Sequence, residues 1–155
     1  MNSLPNYQKI VNLNRAYSAV ETAFEAALSP FGLSPAQWDV LRHLREHPGA
    51  SGADIARRAK VKPQAVATML QRLEKSRLIT RRSSERGRVV EAYLTAQGEA
   101  LLQKGDVIAE QIEAWVFSTF TQDEQEQFNT SLLQCIKNLE SAALPTSLQK
   151  LESEV

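Results

Sequence analysis

The hydrophobic period of this chain is helical, switches to that of a hairpin between residues 79 and 94, and then returns to helical. From residue 6 to residue 28 the apolar side chains Ile10, Leu13, Tyr17, Val20, Phe24 and Leu28 fall three or four apart, the spacing of one stripe along a long helix. Asn14, Arg15, Ser18, Glu21 and Glu25 take the polar side. A stripe this narrow suits helices of a second copy as well as it suits an ordinary core. Ser29-Pro30-Phe31-Gly32 breaks the pattern, and Ser34-Pro35-Ala36-Gln37 restarts it with an N-cap, a proline at the first helical position and a capping-box glutamine. Trp38, Leu41 and Leu44 form the buried side of this second helix, which Pro48-Gly49 ends.

Two short helices follow. Ser51 and Asp54 can cap the first reciprocally, with Ile55, Ala56 and Ala59 as its apolar side. Lys62-Pro63 opens the second, where Val66, Met69, Leu70 and Leu73 recur at core-facing positions. Its other face carries Gln64, Ala65, Thr68, Gln71 and Arg72, short or polar groups that can approach base edges and phosphates. After Leu78-Ile79 come a strand (Thr80-Arg81-Arg82), a tip from Ser83 to Arg88, and a second strand from Val89 to Leu94. Gly87 marks a position suited to positive φ, with arginines on both sides, and such a tip can reach a minor groove.

Helix, turn, helix and hairpin in that order describe a winged helix-turn-helix, a DNA-reading unit. Beyond it, residues 95–119 read as a long helix with Leu101, Leu102, Ile108, Ile112, Trp115 and Val116 on its apolar side. Thr121 and Glu124 form a further capping box before a last helix carrying Phe128, Leu132, Ile136 and Leu139, and Pro145 ends the pattern. The expected fold class is mostly α (α+β). A DNA-binding lobe at about 34–95 lies between dimerisation helices at about 6–28 and 96–144, all in one domain of residues 1–155.

Charge sharpens this picture. The chain holds 18 Lys+Arg and 18 Asp+Glu, yet residues 42–91 hold 13 against 5 and the remainder 5 against 13. A neutral total therefore hides a basic middle whose local field attracts a polyanion. The expected partners are double-stranded DNA and a second copy of the chain. A twofold dimer places two recognition helices ~34 Å apart on a pseudo-palindrome. The single cysteine excludes an intrachain disulfide. No secretory leader opens the chain and no long apolar run crosses it, so a cytoplasmic protein without membrane contact is expected.

The runs SPAQWDVLRHL, ADIARRAKVKPQAVATMLQRLEKSRLI and RRSSERGRVVEAYLTAQGEAL resemble the multiple antibiotic resistance regulator (MarR) family of bacterial transcription factors over roughly residues 34–102. The resemblance implies a homodimeric repressor, with Lys62 to Arg72 as recognition helix and Arg88 as the wing arginine that enters the minor groove. Arg86 then becomes a phosphate contact, since it stands where the family often has aspartate, with Glu85 one place earlier. Lys62, Ala65 and Thr68 occupy positions where hydroxyl groups and an arginine are common, so the base preferences of relatives do not carry over. The resemblance also implies release from DNA by a small aromatic or phenolic effector, and Tyr17, Phe24, Phe31 and Trp38 are candidates to line its pocket. The same aromatics fit plain core packing.

One motif points elsewhere. His43-Leu44-Arg45-Glu46-His47 fits the H-x-x-E-H spacing of some zinc hydrolases, with Asp39 one turn earlier. The alternative function is therefore a zinc-dependent hydrolase or a metal-sensing regulator using His43, Glu46 and His47. Against it, His47 sits where a partly positive ring complements the helix dipole, and His43 is expected on the solvent side opposite Leu41 and Leu44. The primary reading has no catalytic residue, no metal and no cofactor. A third reading keeps the DNA-binding module and drops effector control. Cys135, beside the last apolar stripe and away from basic groups, is expected to be structural.

Overall fold

The computed structural model describes residues 7–84, 87 and 89–141. Contacts divide the chain into two compact units, one extending to Glu113 and one beginning at Ala114. In the first, α1 (Gln8–Leu28) runs through a short 3-10 turn (Ser29–Phe31) to α2 (Pro35–Glu46). Then come α3 (Gly52–Ala59), α4 (Pro63–Lys75), β1 (Ile79–Ser83), β2 (Val90–Leu94) and α5 (Ala96–Val116), which carries the chain past Glu113. α6 (Gln122–Ser141) belongs to the second unit.

The helix starts follow from local chemistry. Gln37 N–H donates to Ser34 Oγ while Gln37 Oε1 accepts from Ser34 N–H, so two of the backbone donors that a helix start leaves without partners are satisfied together. Ser51 with Asp54, and Thr121 with Glu124, repeat the arrangement at α3 and α6. Hydrogen bonds from the Ser51 hydroxyl and backbone hold the Asp54 carboxyl below its usual range. α5 starts on Thr95, whose hydroxyl accepts from Gly98 N–H and donates to the Arg77 carbonyl across the end of α4.

Leu28, Leu41, Leu44, Leu73, Ile79 and Leu102 are fully buried, one or two from each of α1, α2, α4, β1 and α5. Each contributes roughly 1.5–3 kcal/mol by leaving water. Ile55, Ala56, Val66 and Leu70 lock α3 to α4 in the same cluster. β1 and β2 pair antiparallel with Ile79 opposite Leu94 and Ser83 opposite Val90. β2 is also tied to the α2–α3 connection, through Ala92 N–H to the Ala50 carbonyl and Gly49 N–H to the Ala92 carbonyl.

The structure departs from the sequence pattern at Ala59 and Trp38, and it leaves the outer helices exposed in the single chain. Ala59 is exposed, because α3 turns its last residue away from the cluster made by Ile55 and Ala56. Trp38 is only partly buried, and Val40 joins Leu41 and Leu44 on the buried side of α2. Of the α1 stripe only Leu28 is buried, while Ile10, Leu13 and Tyr17 face outward. α6 has no buried residue, and Cys135 is exposed. None of the described helices is long and apolar enough to cross a membrane.

Candidate nucleic-acid interface

Lys60 ends α3 in the left-handed region at φ 54°, and Val61 N–H closes the turn on the Ala56 carbonyl. Lys62 is extended, and Pro63 at the first position of α4 loses no hydrogen bond. Gly52 packs beside Leu70 and Val66 of α4, where a Cβ would meet Leu70 Cδ1 at an ordinary contact distance of 3.4 Å. With Val66, Leu70 and Leu73 committed to the core, Lys62, Gln64, Ala65, Thr68, Gln71 and Arg72 are all exposed. These six predicted residues therefore occupy the solvent side of one helix. Thr68 Oγ1 donates to the Gln64 carbonyl, which leaves its methyl group and oxygen lone pairs facing outward.

Neighbouring cations separate into two groups. Arg57 pairs with Asp54, Arg58 with Glu46 and Arg81 with Glu74. Lys62 and Arg72 enter no ion pair among the described residues, so their charge is available to phosphates. The Arg81 guanidinium grips Glu74 through two nitrogens, at 2.9 and 2.6 Å, joining β1 to α4. That contact lowers the Glu74 pKa.

The wing narrows through Ser84 N–H to the Val89 carbonyl and Gly87 N–H to the Ser84 carbonyl, with Gly87 at φ 69° as its position anticipates. At its base the Arg82 guanidinium lies 4.1 Å from the centre of the Tyr93 ring. Arg86 and Arg88 lie outside the described residues.

Behind the recognition helix is a cavity of about 450 Å³. Tyr17 of α1, Val40 and Arg42 of α2, Ile55 and Arg58 of α3, and Ala65 and Met69 of α4 all contribute to its walls. A helix-turn-helix whose second helix shows polar groups outward and borders a cavity of mixed lining, apolar residues with Arg42, Arg58, His43, Glu21, Asp39 and Glu46, is now in place beside a wing.

Comparison with known proteins agrees with this geometry. The MarR family pattern matches residues 31–88. The HTH-type transcriptional repressor Rv2887 of Mycobacterium tuberculosis is 36% identical over 121 residues, covering 77% of this chain and 87% of the relative. This chain belongs to the MarR family. A crystal structure of Rv2887 in complex with DNA matches at a TM-score of 0.71 and 31% identity, over 86% of this chain and 98% of that one. Its complex with salicylic acid matches at 0.68 and 33%, over 86% and 98%. The winged-helix architecture and the transcriptional-regulator class of the MarR family are thus those of this chain.

The four aromatic candidates do not share one wall of the cavity. Tyr17 lines it. Phe24 and Trp38 stack on each other at 5.4 Å, and Phe31 is exposed near Lys104. The sequence reading named His43, Glu46 and Asp39 only as metal ligands and missed Glu21, Arg42 and Arg58 in the polar part of the cavity. These residues have no common spacing that would have marked them.

The zinc reading finds no support. His43 and His47 approach to 4.7 Å between ring centres, but no group of three His, Cys, Asp or Glu able to hold a metal occurs among the described residues. Glu46 is drawn to Arg42 and Arg58, and Asp39 to Arg42. His43 is half-buried, contrary to the expected solvent position, because α3 and Arg58 cover that side of α2. Burial, then the neighbouring charges of His47 and Arg58, lower its pKa, Glu46 raises it, and Arg42 lowers it slightly.

Proposed function

We propose that this MarR-family regulator is a repressor that binds a pseudo-palindromic operator as a homodimer and is released by a small aromatic carboxylate. The observation that carries the reading is the double exposure of α4. Gln64, Thr68, Gln71 and Arg72 face outward, while Ala65, Val66 and Met69 of the same helix line the cavity. An occupant of the cavity touches the element that reads DNA. Apolar walls suit an aromatic ring, and an anionic group such as that of the salicylic acid bound to Rv2887 competes there with Glu46 for Arg42 and Arg58, in a wall that also carries Glu21 and Asp39. Lys62 and Arg72 supply phosphate contacts, and Gln64, Ala65, Thr68 and Gln71 approach base edges. Arg88 enters the minor groove and Arg86 contacts phosphate, on the sequence argument alone.

The test is selection of duplexes from a random library, followed by titration of the best one at several salt concentrations with and without salicylate. The expected outcome is a symmetric consensus, log K falling by about 0.9 per phosphate contacted for each tenfold rise in salt, and weaker binding with salicylate. Failure to select any duplex, or affinity that ignores salt, overturns the proposal. Affinity indifferent to salicylate and related aromatic acids leaves the DNA-binding part standing and removes the effector.

A further inference from the structure

Trp38 is where three helices of the first unit meet. Phe24 of α1 stacks on its ring, Arg42 lies 5.5 Å over it, and its Nε1–H donates to Asp106 Oδ1 of α5 at 3.2 Å, across 68 positions of sequence. The second Asp106 oxygen accepts from Arg45, one helical turn below Arg42 on α2, and Arg45 also lies 3.9 Å from Glu99. Gly105 makes the approach possible, because a Cβ there would stand 2.4 Å from Trp38 Cδ1. Asp106 is therefore held by two donors from α2, while α5 comes too close at Gly105 for any side chain.

We infer that Trp38, Arg45 and Asp106 form a clamp that fixes the angle at which α5 leaves the helix-turn-helix lobe, making Asp106 a positioning residue for DNA binding. The reasoning is one of leverage. α5 runs ten residues beyond Asp106 to Val116, about 15 Å of helix, so a change of about 10° at the clamp moves that end by 2–3 Å. Half-sites on a duplex tolerate little such error, since recognition helices must enter successive major grooves together. Arg45 and Asp106 keep the contact electrostatic and directional, whereas apolar contacts alone permit sliding. The inference rests on the proposal that two copies bind one duplex, but the clamp itself does not.

Spin labels at Lys75→Cys on α4 and Gln111→Cys on α5, in a Cys135→Ser background and diluted into unlabelled chain, read the angle within one protomer. The parent should give a narrow distance distribution, and Asp106→Ala a clearly broader one at unchanged helical circular dichroism. Asp106→Glu should recover part of the narrowing. An unchanged distribution in Asp106→Ala overturns the clamp. On duplexes selected by the unlabelled parent, Asp106→Ala should lose about tenfold on the full site, lose little on an isolated half-site, and discriminate less against spacing changed by one base pair. A broadened distance with full-site affinity intact, or equal losses on full and half sites, overturns the positioning role. Failure to select a duplex refutes the DNA proposal, while the distance measurement still decides whether the clamp exists.

Discussion

Glycine at 98 and 105 is required by neighbours and not by backbone angle. A Cβ on Gly98 would stand 2.0 Å from the Leu78 carbonyl oxygen, so Gly98→Ala must push the start of α5 off the connection between α4 and β1. We expect a loss of about 1–3 kcal/mol, read as a lower urea midpoint. Gly105→Ala meets Trp38 Cδ1 at 2.4 Å, and displacing that ring breaks its bond to Asp106, so a comparable loss should accompany a shift in tryptophan emission in a Trp115→Phe background. His43 makes a separate prediction from its lowered pKa. Unfolded chains take up its proton near pH 6.5 while the folded protein resists, so stability is full above that pH and falls as pH drops toward the folded value. Melting of the parent should decline more between pH 7 and 5 than melting of His43→Gln, and parallel declines would remove His43 as the cause.

Among the elements, those with local signals could be read from sequence. Ser34 with Gln37, Ser51 with Asp54, and Pro63 announced three helix starts because capping is settled within four residues. What stayed hidden depends on distant partners: Asp106 against Trp38 and Arg45, or His43 under α3. Two helix ends were hidden for another reason. Lys60 and Arg77 adopt left-handed angles where glycine would ordinarily mark the stop. Arg77→Gly should therefore stabilise the α4 end by about 1 kcal/mol, seen as a higher urea midpoint with unchanged slope. The wing is tested by contrast between two arginines. Arg88→Ala should cost ~1–3 kcal/mol on the selected duplex and less on a scrambled one, whereas Arg86→Ala should cost both alike. Equal losses for Arg88→Ala would refute the minor-groove role.

For the whole molecule, the proposed function assigns the basic middle to DNA and the outward stripe of α1 to self-association. Ile10 is 66% exposed and Leu13 41%, so Ile10→Asp with Leu13→Asp should leave the helical content of one chain intact while weakening the dimer, as read by sedimentation. A double variant that sediments as the parent does would exclude α1 from the interface. The cavity behind α4 carries a further consequence. Ala65 and Met69 belong both to its wall and to the helix that faces the duplex, so under the proposed function the two occupants are linked through α4, and linkage is reciprocal. Whatever factor an aromatic acid takes from operator affinity, the operator takes from affinity for the acid. A cell with many occupied operators thus raises its own threshold for response, and dose curves measured on free protein will overstate the sensitivity of the promoter.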